Sequence, residues 1–341
     1  MRILFVSDYP HLPDIKGGLQ TTTHDLCLAI ATAGAEVAVL CGTNEYGNTA
    51  GADLTRSDTD LGYLCMRAES PQQMLPLVAA AWNASVIVVQ SGTALAPMVL
   101  ASLKTERPTA VYLHNVEVHQ LSGMLMPDPS LLFLANSEFT AARWRALCGL
   151  HCEVIPPVVR PDDYLAAHTG SHVLYVNPMP IKGVEIMFAL AAHCPDVQFL
   201  VVESWSLEPN WRQLCRHRAE ALGNVTWQAP TDDMRAVYAQ SRLLLMPSVW
   251  EESFGRTVVE AQLNGLPVLA SRRGALPQTV GAGGLLVDPH DSVAFWAAAL
   301  RRLLAEHDAF STAARSRALG HAAATPLIVA RLLGLLASHS A

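Results

Sequence analysis

The chain contains 341 residues, of which 51% are apolar and 16% are charged, and its formal net charge is −7. A chain of this length exceeds what one hydrophobic core usually organises, so we expect two domains of roughly 150 residues each. The high apolar content argues against disorder. The acidic charge balance excludes a nucleic-acid backbone as the main partner, because that partner requires a basic surface.

The first half of the chain alternates predicted strands with predicted helices. Apolar runs predict strands at residues 3–6, 36–41, 85–89, 110–113 and 131–135. The segment 19–33 is predicted to be a helix that ends at Gly34, and the polar segment 55–61 is predicted to be a loop. Near-continuous apolar strands separated by helices indicate a parallel sheet that is covered on both faces.

The second half repeats this plan. Apolar runs predict strands at residues 172–176, 197–202, 225–228, 243–246 and 267–270. The proline pair Pro156 and Pro157 predicts a boundary, and the segment 309–338 is predicted to be helical, with Pro326 dividing it in two.

The predicted fold class is therefore α/β, with two Rossmann-like domains that face a central cleft. Their expected limits are 1–156 and 157–308, followed by C-terminal helices at 309–341 that pack back across the domains. Ligands of open α/β sheets bind outside the carboxyl ends of the strands, so we expect the site to lie in that cleft.

Cysteine usage and apolar runs predict a cytoplasmic protein. Seven cysteines without regular spacing fit a reducing compartment better than a disulfide framework, and Cys148 and Cys152 lack a second ligand pair for zinc. The four apolar residues before Ser7 are too few for a signal peptide, and no run reaches the ~18 apolar residues of a transmembrane helix. Peripheral membrane contact and the oligomeric state stay open.

The segment 246–261 carries the strongest functional pattern. It follows an apolar run, crosses a short polar loop and enters a helix near Gly255, where a small residue lets a ligand approach the backbone. Free N–H groups at a helix start and the helix dipole favour a phosphorylated ligand. Glu252 in the loop and Glu260, about two turns into the helix, could accept hydrogen bonds from hydroxyls on either side of that phosphate. A sugar nucleotide has this layout.

Several other candidate residues have both a functional and a structural interpretation. Gly17 and Gly18 open the first long helix, where they could bring amides to a phosphate or acceptor group or form an ordinary turn. His114 follows a strand at the edge where ligands bind, although a histidine near apolar residues is often structural. Lys182 at a helix start is unfavourable for the dipole unless an anion lies nearby, and a solvated lysine is the alternative.

The acidic candidates also have both a functional and a structural interpretation. Glu260 could be a solvated acid that complements a helix dipole, but its neighbours Val259 and Ala261 are apolar. Asp58 and Asp60 have the Asp-x-Asp form that binds divalent metal in another class of sugar-transfer enzyme. They lie in the predicted polar loop, outside the site formed by the other candidates, so we predict no metal site.

Taken together, these features resemble the retaining glycosyltransferases with the GT-B architecture, specifically glycosyltransferase family 4, also called glycosyl transferases group 1. The resemblance covers nearly the whole chain. Its most specific part is the segment 252–260 (ESFGRTVVE), which is similar to the family's Glu-x7-Glu motif. Four further segments are similar to family segments in the expected order: 136–140, 182–183, 274–277 and 284–289.

The resemblance implies a hexosyltransferase that uses a nucleoside-diphosphate sugar, retains the anomeric configuration and needs no metal or other cofactor. Glu260 would hold the ribose hydroxyls of the donor. Glu252, with the amides around Phe254 and Gly255, would hold the donor sugar, and Lys182 would neutralise the diphosphate. No residue is an obvious covalent nucleophile, so the expected mechanism is front-face attack by the acceptor hydroxyl.

The resemblance also implies which substrate each domain binds. The C-terminal domain would bind the donor, with Thr257 part of the donor-binding helix start. The N-terminal domain would bind the acceptor, with Gly17 and Gly18 lining the diphosphate and acceptor side. His114 would reach the donor sugar from this domain.

The chain departs from the family pattern at the diphosphate. The family usually has Gly-Arg after the first strand of the second domain, whereas the segment 175–182 (YVNPMPIK) contains no arginine. We hypothesise that Arg256, where the family commonly has an apolar residue, supplies the missing charge. Gln278, where a glutamate is common, is a milder departure.

Other functions remain open at this stage. A sugar-nucleotide epimerase or a phosphorylase would share the fold, and a catalytically weak pseudo-transferase would bind a sugar nucleotide or a partner without turnover. A UDP-sugar is slightly favoured over a GDP-sugar, and the acceptor is unidentified. The loops 44–60 and 116–128 are expected to read the acceptor. The second loop is apolar enough for a hydrophobic acceptor, or it is an ordinary packed loop.

Overall fold

The computed structural model describes residues 1–44, 54–167, 170–204 and 207–340. These residues form two compact units. The first unit contains Met1–Val158 and the segment that begins at Ala324, and the second unit contains Val159–Ala323.

The first unit is built around one sheet. Its elements in chain order are β1 (Arg2–Pro10), α1 (Gly18–Thr32), β2 (Glu36–Gly42), β3 (Leu54–Asp58), β4 (Leu64–Ala68), α2 (Pro71–Ala81), β5 (Val86–Gln90), α3 (Leu95–Leu103), β6 (Thr109–Leu113), β7 (Leu131–Ala135), α4 (Glu138–Cys148), β8 (Glu153–Val154) and α12 (Thr325–His339). Among the described residues the sheet has eight strands in the order β3-β4-β2-β1-β5-β6-β7-β8. Neighbouring strands are parallel except β3 and β4.

Both faces of this sheet are buried, as predicted. Successive side chains of a strand point to opposite faces. Along β1, Ile3 and Phe5 pack in an apolar cluster that includes side chains of α1 and α12. Leu4 and Val6 pack in a second cluster with side chains of α2 and α3. Helices therefore cover the sheet on both sides.

The second unit repeats this architecture with a smaller sheet. Its elements are β9 (His172–Val176), α5 (Val184–His193), β10 (Phe199–Val202), α6 (Pro209–Leu222), β11 (Val225–Gln228), α7 (Met234–Ala239), β12 (Ser241–Met246), α8 (Arg256–Leu263), β13 (Val268–Ser271), α9 (Leu276–Val280), β14 (Gly284–Val287), α10 (Val293–Ala305) and α11 (His307–Ala323). The described strands form a parallel sheet in the order β11-β10-β9-β12-β13-β14. Val173 and Tyr175 pack on one face, and Leu174 packs on the other.

The predicted strands all match observed strands to within two residues at each predicted end, apart from the extension of β1 to Pro10. The prediction of a loop at 55–61 was wrong, because Leu54–Asp58 forms β3, which pairs antiparallel with β4. This strand lies at the edge of the sheet and is mostly exposed or half-buried. An edge strand of this kind carries no apolar run, so its sequence is that of a loop.

The C-terminal helices break between Ala323 and Thr325, close to Pro326 as predicted. By length and composition alone, the stretch His307–His339 is apolar enough to cross a membrane, which is weak evidence for a span. In the described part of the chain no other helix passes that test. In this structure Ile328, Val329 and Leu332 of α12 pack in the core of the first unit.

Candidate active site

Glu252 lies in the loop between β12 and α8, where two donors hold its side chain. Lys182 Nζ donates a hydrogen bond to Glu252 Oε1 over 2.7 Å. Ser248 Oγ donates to the same oxygen over 2.8 Å. The residue is 8% exposed, and a carboxylate this deeply buried requires such partners. The predicted residues Glu252 and Lys182 are therefore brought into direct contact.

A glycine brings Lys182 next to this loop. Lys182 ends the short 3-10 helix Pro180–Lys182, and Gly183 caps α5 with a left-handed φ of +79°. A Cβ atom on Gly183 would overlap the carbonyl oxygen of Pro247, the residue that follows β12. The absence of a side chain at Gly183 thus allows the close approach that the Lys182–Glu252 pair needs.

A second glycine supports the backbone of Glu252. Gly274 has a φ of +56°, and a Cβ atom there would overlap the Glu252 carbonyl oxygen and lie 2.6 Å from the Glu252 nitrogen. The next residue, Ala275, donates its N–H to the Glu252 carbonyl over 2.7 Å. The segment 274–277, selected by its resemblance to a family segment, therefore supports the loop that carries Glu252.

The start of α8 is open to a ligand. Gly255 is the capping residue, with a φ of +84°, and as a glycine it has no side chain to cap the first amides of the helix. Such amides attract anions. Phe254 and Thr257 are half-buried on either side of this position. Thr279 Oγ1 donates to the Phe254 carbonyl over 2.5 Å, which fixes the chain as it enters the helix.

Glu260 is the fifth residue of α8, in its second turn, and is 7% exposed. Arg256 Nε donates to Glu260 Oε1 over 2.8 Å, and the Tyr238 hydroxyl donates to Oε2 over 2.8 Å. Arg256 also donates to the Tyr164 hydroxyl over 3.2 Å. Burial and the neighbouring Glu260 carboxylate raise the pKa of Tyr238 well above its ordinary value, so its hydroxyl keeps the proton it donates.

Sequence reasoning missed three of these partners. Ser248 belongs to the loop that carries Glu252, and a polar residue just past the carboxyl end of β12 could have indicated it. Tyr238 lies in the last turn of α7 and Tyr164 follows a 3-10 turn, so only the packing of separate elements brings them to Glu260 and Arg256. No local pattern marks either tyrosine.

The position of the missing arginine has its own geometry. Asn177, the first residue after β9, has a φ of +69°, the left-handed conformation that glycine favours. Its Oδ1 atom is buried and has no hydrogen-bond partner among the described residues. Pro178 follows, and its carbonyl accepts a hydrogen bond from Trp211 Nε1 over 2.9 Å.

The predicted residues of the first unit lie at the carboxyl edge of its sheet or at a helix start. Gly17 caps α1, and Gly18 is its first residue, with open space where a Cβ atom would be. His114 directly follows β6, and its ring packs 4.0 Å from the Tyr112 ring, centroid to centroid. His114 Nε2 is buried without a hydrogen-bond partner in the described part of the chain. Burial lowers the pKa of His114 to about 3, so the ring is neutral near pH 7.

The Asp-x-Asp pattern does not form a separate site. Asp58 accepts a hydrogen bond from Arg67 over 2.7 Å, and Arg67 also donates to Asp14 over 2.8 Å. Within the described ranges, no group of three or more His, Cys, Asp or Glu side chains is arranged to hold a metal ion. All seven cysteines are free thiols.

Comparisons with known proteins identify the family. Residues 16–163 match the sequence model of Glycosyltransferase Family 4, and residues 170–306 match that of Glycosyl transferases group 1. The D-inositol 3-phosphate glycosyltransferase of Mycobacterium sp. (strain KMS) is 31% identical over 240 residues, which is 67% of this chain and 48% of that protein. The D-inositol 3-phosphate glycosyltransferase of Corynebacterium kroppenstedtii is 46% identical over 81 residues, which is 23% of this chain and 18% of that protein. The chain spans at most about half the length of these curated relatives.

Solved structures agree on the fold. Sucrose-phosphate synthase from Thermosynechococcus elongatus has a TM-score of 0.78 at 17% identity, covering 99% of both chains. Anabaena Alr3699/HepE in complex with UDP-glucose has a TM-score of 0.76 at 19% identity, covering 98% of this chain and 99% of that one. The two family models together match most of the chain, and the fold is mixed α/β with two parallel-type sheets. The chain therefore belongs to the family 4, group 1 glycosyltransferases and has the GT-B fold.

Proposed function

We propose that the protein transfers a hexose from a nucleoside-diphosphate sugar to an acceptor hydroxyl, with retention of configuration and without a metal ion. The observation that carries this proposal is the uncapped start of α8 with a buried carboxylate on each side, Glu252 before it and Glu260 after it. A diphosphate suits the helix start, and hydroxyl groups suit both carboxylates.

Charge at the site favours departure of the diphosphate. Cleavage of a sugar–phosphate bond builds negative charge on the leaving group and positive charge on the sugar ring. Lys182 and the amides at Gly255 offset the first, and removal of one such donor typically costs about 3–4 kcal/mol. These groups take the role that a metal ion has in other sugar-transfer enzymes, which supports a metal-independent reaction.

Retention follows from attack on the face that the diphosphate leaves. The acceptor oxygen forms a bond to the anomeric carbon as the carbon–oxygen bond to the phosphate breaks. The acceptor proton passes to the departing phosphate oxygen, so the step needs no protein base. Glu252, held by Lys182 and Ser248, would hold the sugar hydroxyls during this step. The roles of His114, Gly17 and Gly18 stay predictions.

The relatives suggest which substrates to try first. Structures of Anabaena Alr3699/HepE contain UDP-glucose or UDP, which supports a uridine diphosphate donor. The curated relatives are named D-inositol 3-phosphate glycosyltransferases, which supports an inositol phosphate as one acceptor to test. An acceptor of another class is equally compatible with the donor site.

The test is transfer in the presence of EDTA. The protein is incubated with UDP-, GDP-, ADP- and TDP-hexoses and an acceptor panel that includes inositol 3-phosphate, and products are examined by NMR. We expect one donor to give a glycoside with the donor's anomeric configuration. Inversion of configuration or loss of activity with EDTA would contradict those parts of the proposal.

Two control arms separate the alternatives. Conversion of the donor in the absence of acceptor and phosphate would indicate an epimerase, and sugar 1-phosphate formed from a glycoside and phosphate would indicate a phosphorylase. Thermal stabilisation by a nucleotide sugar without turnover across the acceptor panel would indicate a pseudo-transferase. A ligand at 100 times its Kd stabilises a fold by about 2.7 kcal/mol, which gives a measurable shift in Tm.

A further inference from the structure

We propose that Arg256 is a positioning residue that fixes the Glu260 carboxylate for the donor ribose, rather than a direct ligand of the diphosphate. This inference rests on the proposed function, because it requires a nucleoside diphosphate at the start of α8. It replaces the hypothesis that Arg256 supplies the charge of the missing arginine.

The contacts of Arg256 carry the proposal. Arg256 and Glu260 are four residues apart on α8, so their side chains lie on the same face of the helix. The guanidinium donates from Nε to Glu260 and from its other side to the Tyr164 hydroxyl. It also lies 5.7 Å from the centre of the Tyr164 ring. Both Arg256 and Glu260 are at least 92% buried (8% and 7% exposed).

Both carboxylate oxygens of Glu260 are thereby held by side-chain donors. Arg256 donates to Oε1 and Tyr238 donates to Oε2. Each carboxylate oxygen has two lone pairs, so a carboxylate can accept several hydrogen bonds at once. A ribose offers two neighbouring hydroxyls, and a carboxylate with fixed orientation can accept from both. Loss of Arg256 would leave the carboxylate free to rotate towards Tyr238.

The same contacts argue against a direct diphosphate role. If Arg256 turned towards the diphosphate, it would give up Glu260 and Tyr164, and Glu260 would stay buried without its charged partner. Removing one partner of a buried ion pair is strongly unfavourable. Tyr164 is itself fixed, because its carbonyl accepts a hydrogen bond from Asn264 Nδ2 over 3.0 Å.

The test compares ligands that differ at one group. Kd is measured by calorimetry for UDP, GDP and ADP, for their 2′,3′-dideoxy forms and for the free nucleosides, on the wild type and on R256L. For the nucleotide that binds best, we expect R256L to weaken binding of the diphosphate and of the nucleoside by a similar factor, about 10-fold, which is about 1.4 kcal/mol. R256L should lose most of the wild type's preference for the diphosphate with both ribose hydroxyls over its dideoxy form.

Other outcomes would overturn the inference. If R256L weakens the diphosphate but not the nucleoside and keeps its preference over the dideoxy form, Arg256 acts on the diphosphate. If R256L lowers Tm but leaves every Kd unchanged, its role is structural. If the wild type binds a diphosphate and its dideoxy form equally, the ribose contact fails while the proposed function stands. If no nucleoside diphosphate binds the wild type, the proposed function itself fails.

Further variants guard against loss of the fold and against indirect effects. In E260Q, the added change R256L should have little further effect on Kd, because the positioned group is already altered. The variant that carries both E260Q and R256L also lacks both buried charges. R256K should restore part of the affinity that R256L loses.

R302L is the matched control, because Arg302 forms an exposed pair with Glu306 at the same spacing on α10, and R302L should bind like the wild type. During turnover, R256L should raise the donor KM about 10-fold with kcat changed less than about 3-fold.

Discussion

Lys182 and Glu252 form a charged pair between residues 70 positions apart, next to the uncapped start of α8. In the absence of a ligand, the half-buried Lys182 and the buried Glu252 each provide the charged partner that the other needs. With a donor present, Lys182 would offset the charge that develops on the diphosphate, while Glu252 would accept hydrogen bonds from the sugar. The structural and catalytic roles of the pair are therefore compatible.

Lys182→Met tests the catalytic role. Methionine keeps most of the side-chain length and removes the charge, so we expect kcat to fall about 10²- to 10³-fold through loss of transition-state stabilisation. The measurement is steady-state kinetics with the donor that the transfer assay identifies. Arg218→Met is the matched control, because Arg218 pairs with Glu185 on the exposed surface of the same unit. Equal loss of kcat in both variants would show that Lys182 acts only through stability.

Glycine turns set the geometry of the site at the scale of elements. Gly183 and Gly274 both have positive φ angles, and both lie where a Cβ atom would overlap a backbone oxygen beside Glu252. The glycines of the matching segments 182–183 and 274–277 are thus explained by close approaches of backbone. A strand end, a 3-10 turn and the loop before α9 converge only because these positions lack side chains.

Gly274→Ala tests this account. Its Cβ atom would force the Glu252 backbone to move, so we expect kcat/KM to fall at least about 10-fold in addition to a loss of stability. Gly223→Ala separates conformational strain from overlap, because Gly223 has a φ of +74° but no atom within 4 Å of an added Cβ. The control should lose about 1–2 kcal/mol of stability from its left-handed conformation and retain activity. Thermal unfolding and kinetics on both variants decide the matter, and unchanged activity in Gly274→Ala would contradict the account.

At the scale of the whole molecule, buried ionisable groups make the stability of the fold depend on pH. Burial lowers the pKa values of His11 and His114 from 6.5 to about 3. His11 faces His24 and Arg67, whose positive charges lower its pKa further, whereas the nearby Asp14 raises it. The His11 ring also forms a hydrogen bond with the Tyr63 hydroxyl. The unfolded chain binds a proton at each histidine below pH 6.5 that the folded chain does not bind.

Stability should therefore fall as pH falls from about 6.5 towards 3. Between pH 7.5 and 5.5 each histidine contributes about 1.4 kcal/mol to this loss, or about 3 kcal/mol together. The measurement is thermal unfolding at both pH values for the wild type, His11→Asn and His114→Asn. Each variant should lose about half of the histidine contribution, whereas His151→Asn, at an exposed position, should keep the wild-type dependence. A full pH dependence in the variant that carries both His11→Asn and His114→Asn would contradict the assignment.

The sequence by itself determined the alternation of strands and helices and the position of the segment 252–260. These features are local, because apolar runs, glycines and a helix start each act over a few residues. The strand β3 escaped this reasoning because an exposed edge strand has no apolar run, and its pairing with β4 is decided by backbone hydrogen bonds. The resemblance to a family supplied the predicted roles of Lys182 and His114, which stay predictions.

Only the tertiary structure decided which groups each carboxylate meets. Ser248 and Lys182 reach Glu252, while Tyr238 and Arg256 reach Glu260, through contacts within one loop, between turns of one helix or between separate elements. A sequence shows that Arg256 and Glu260 are four residues apart, but not that they are buried together against Tyr164 and Tyr238. Burial is what makes the pair matter, because a charge removed from water must be satisfied by whatever the fold packs against it.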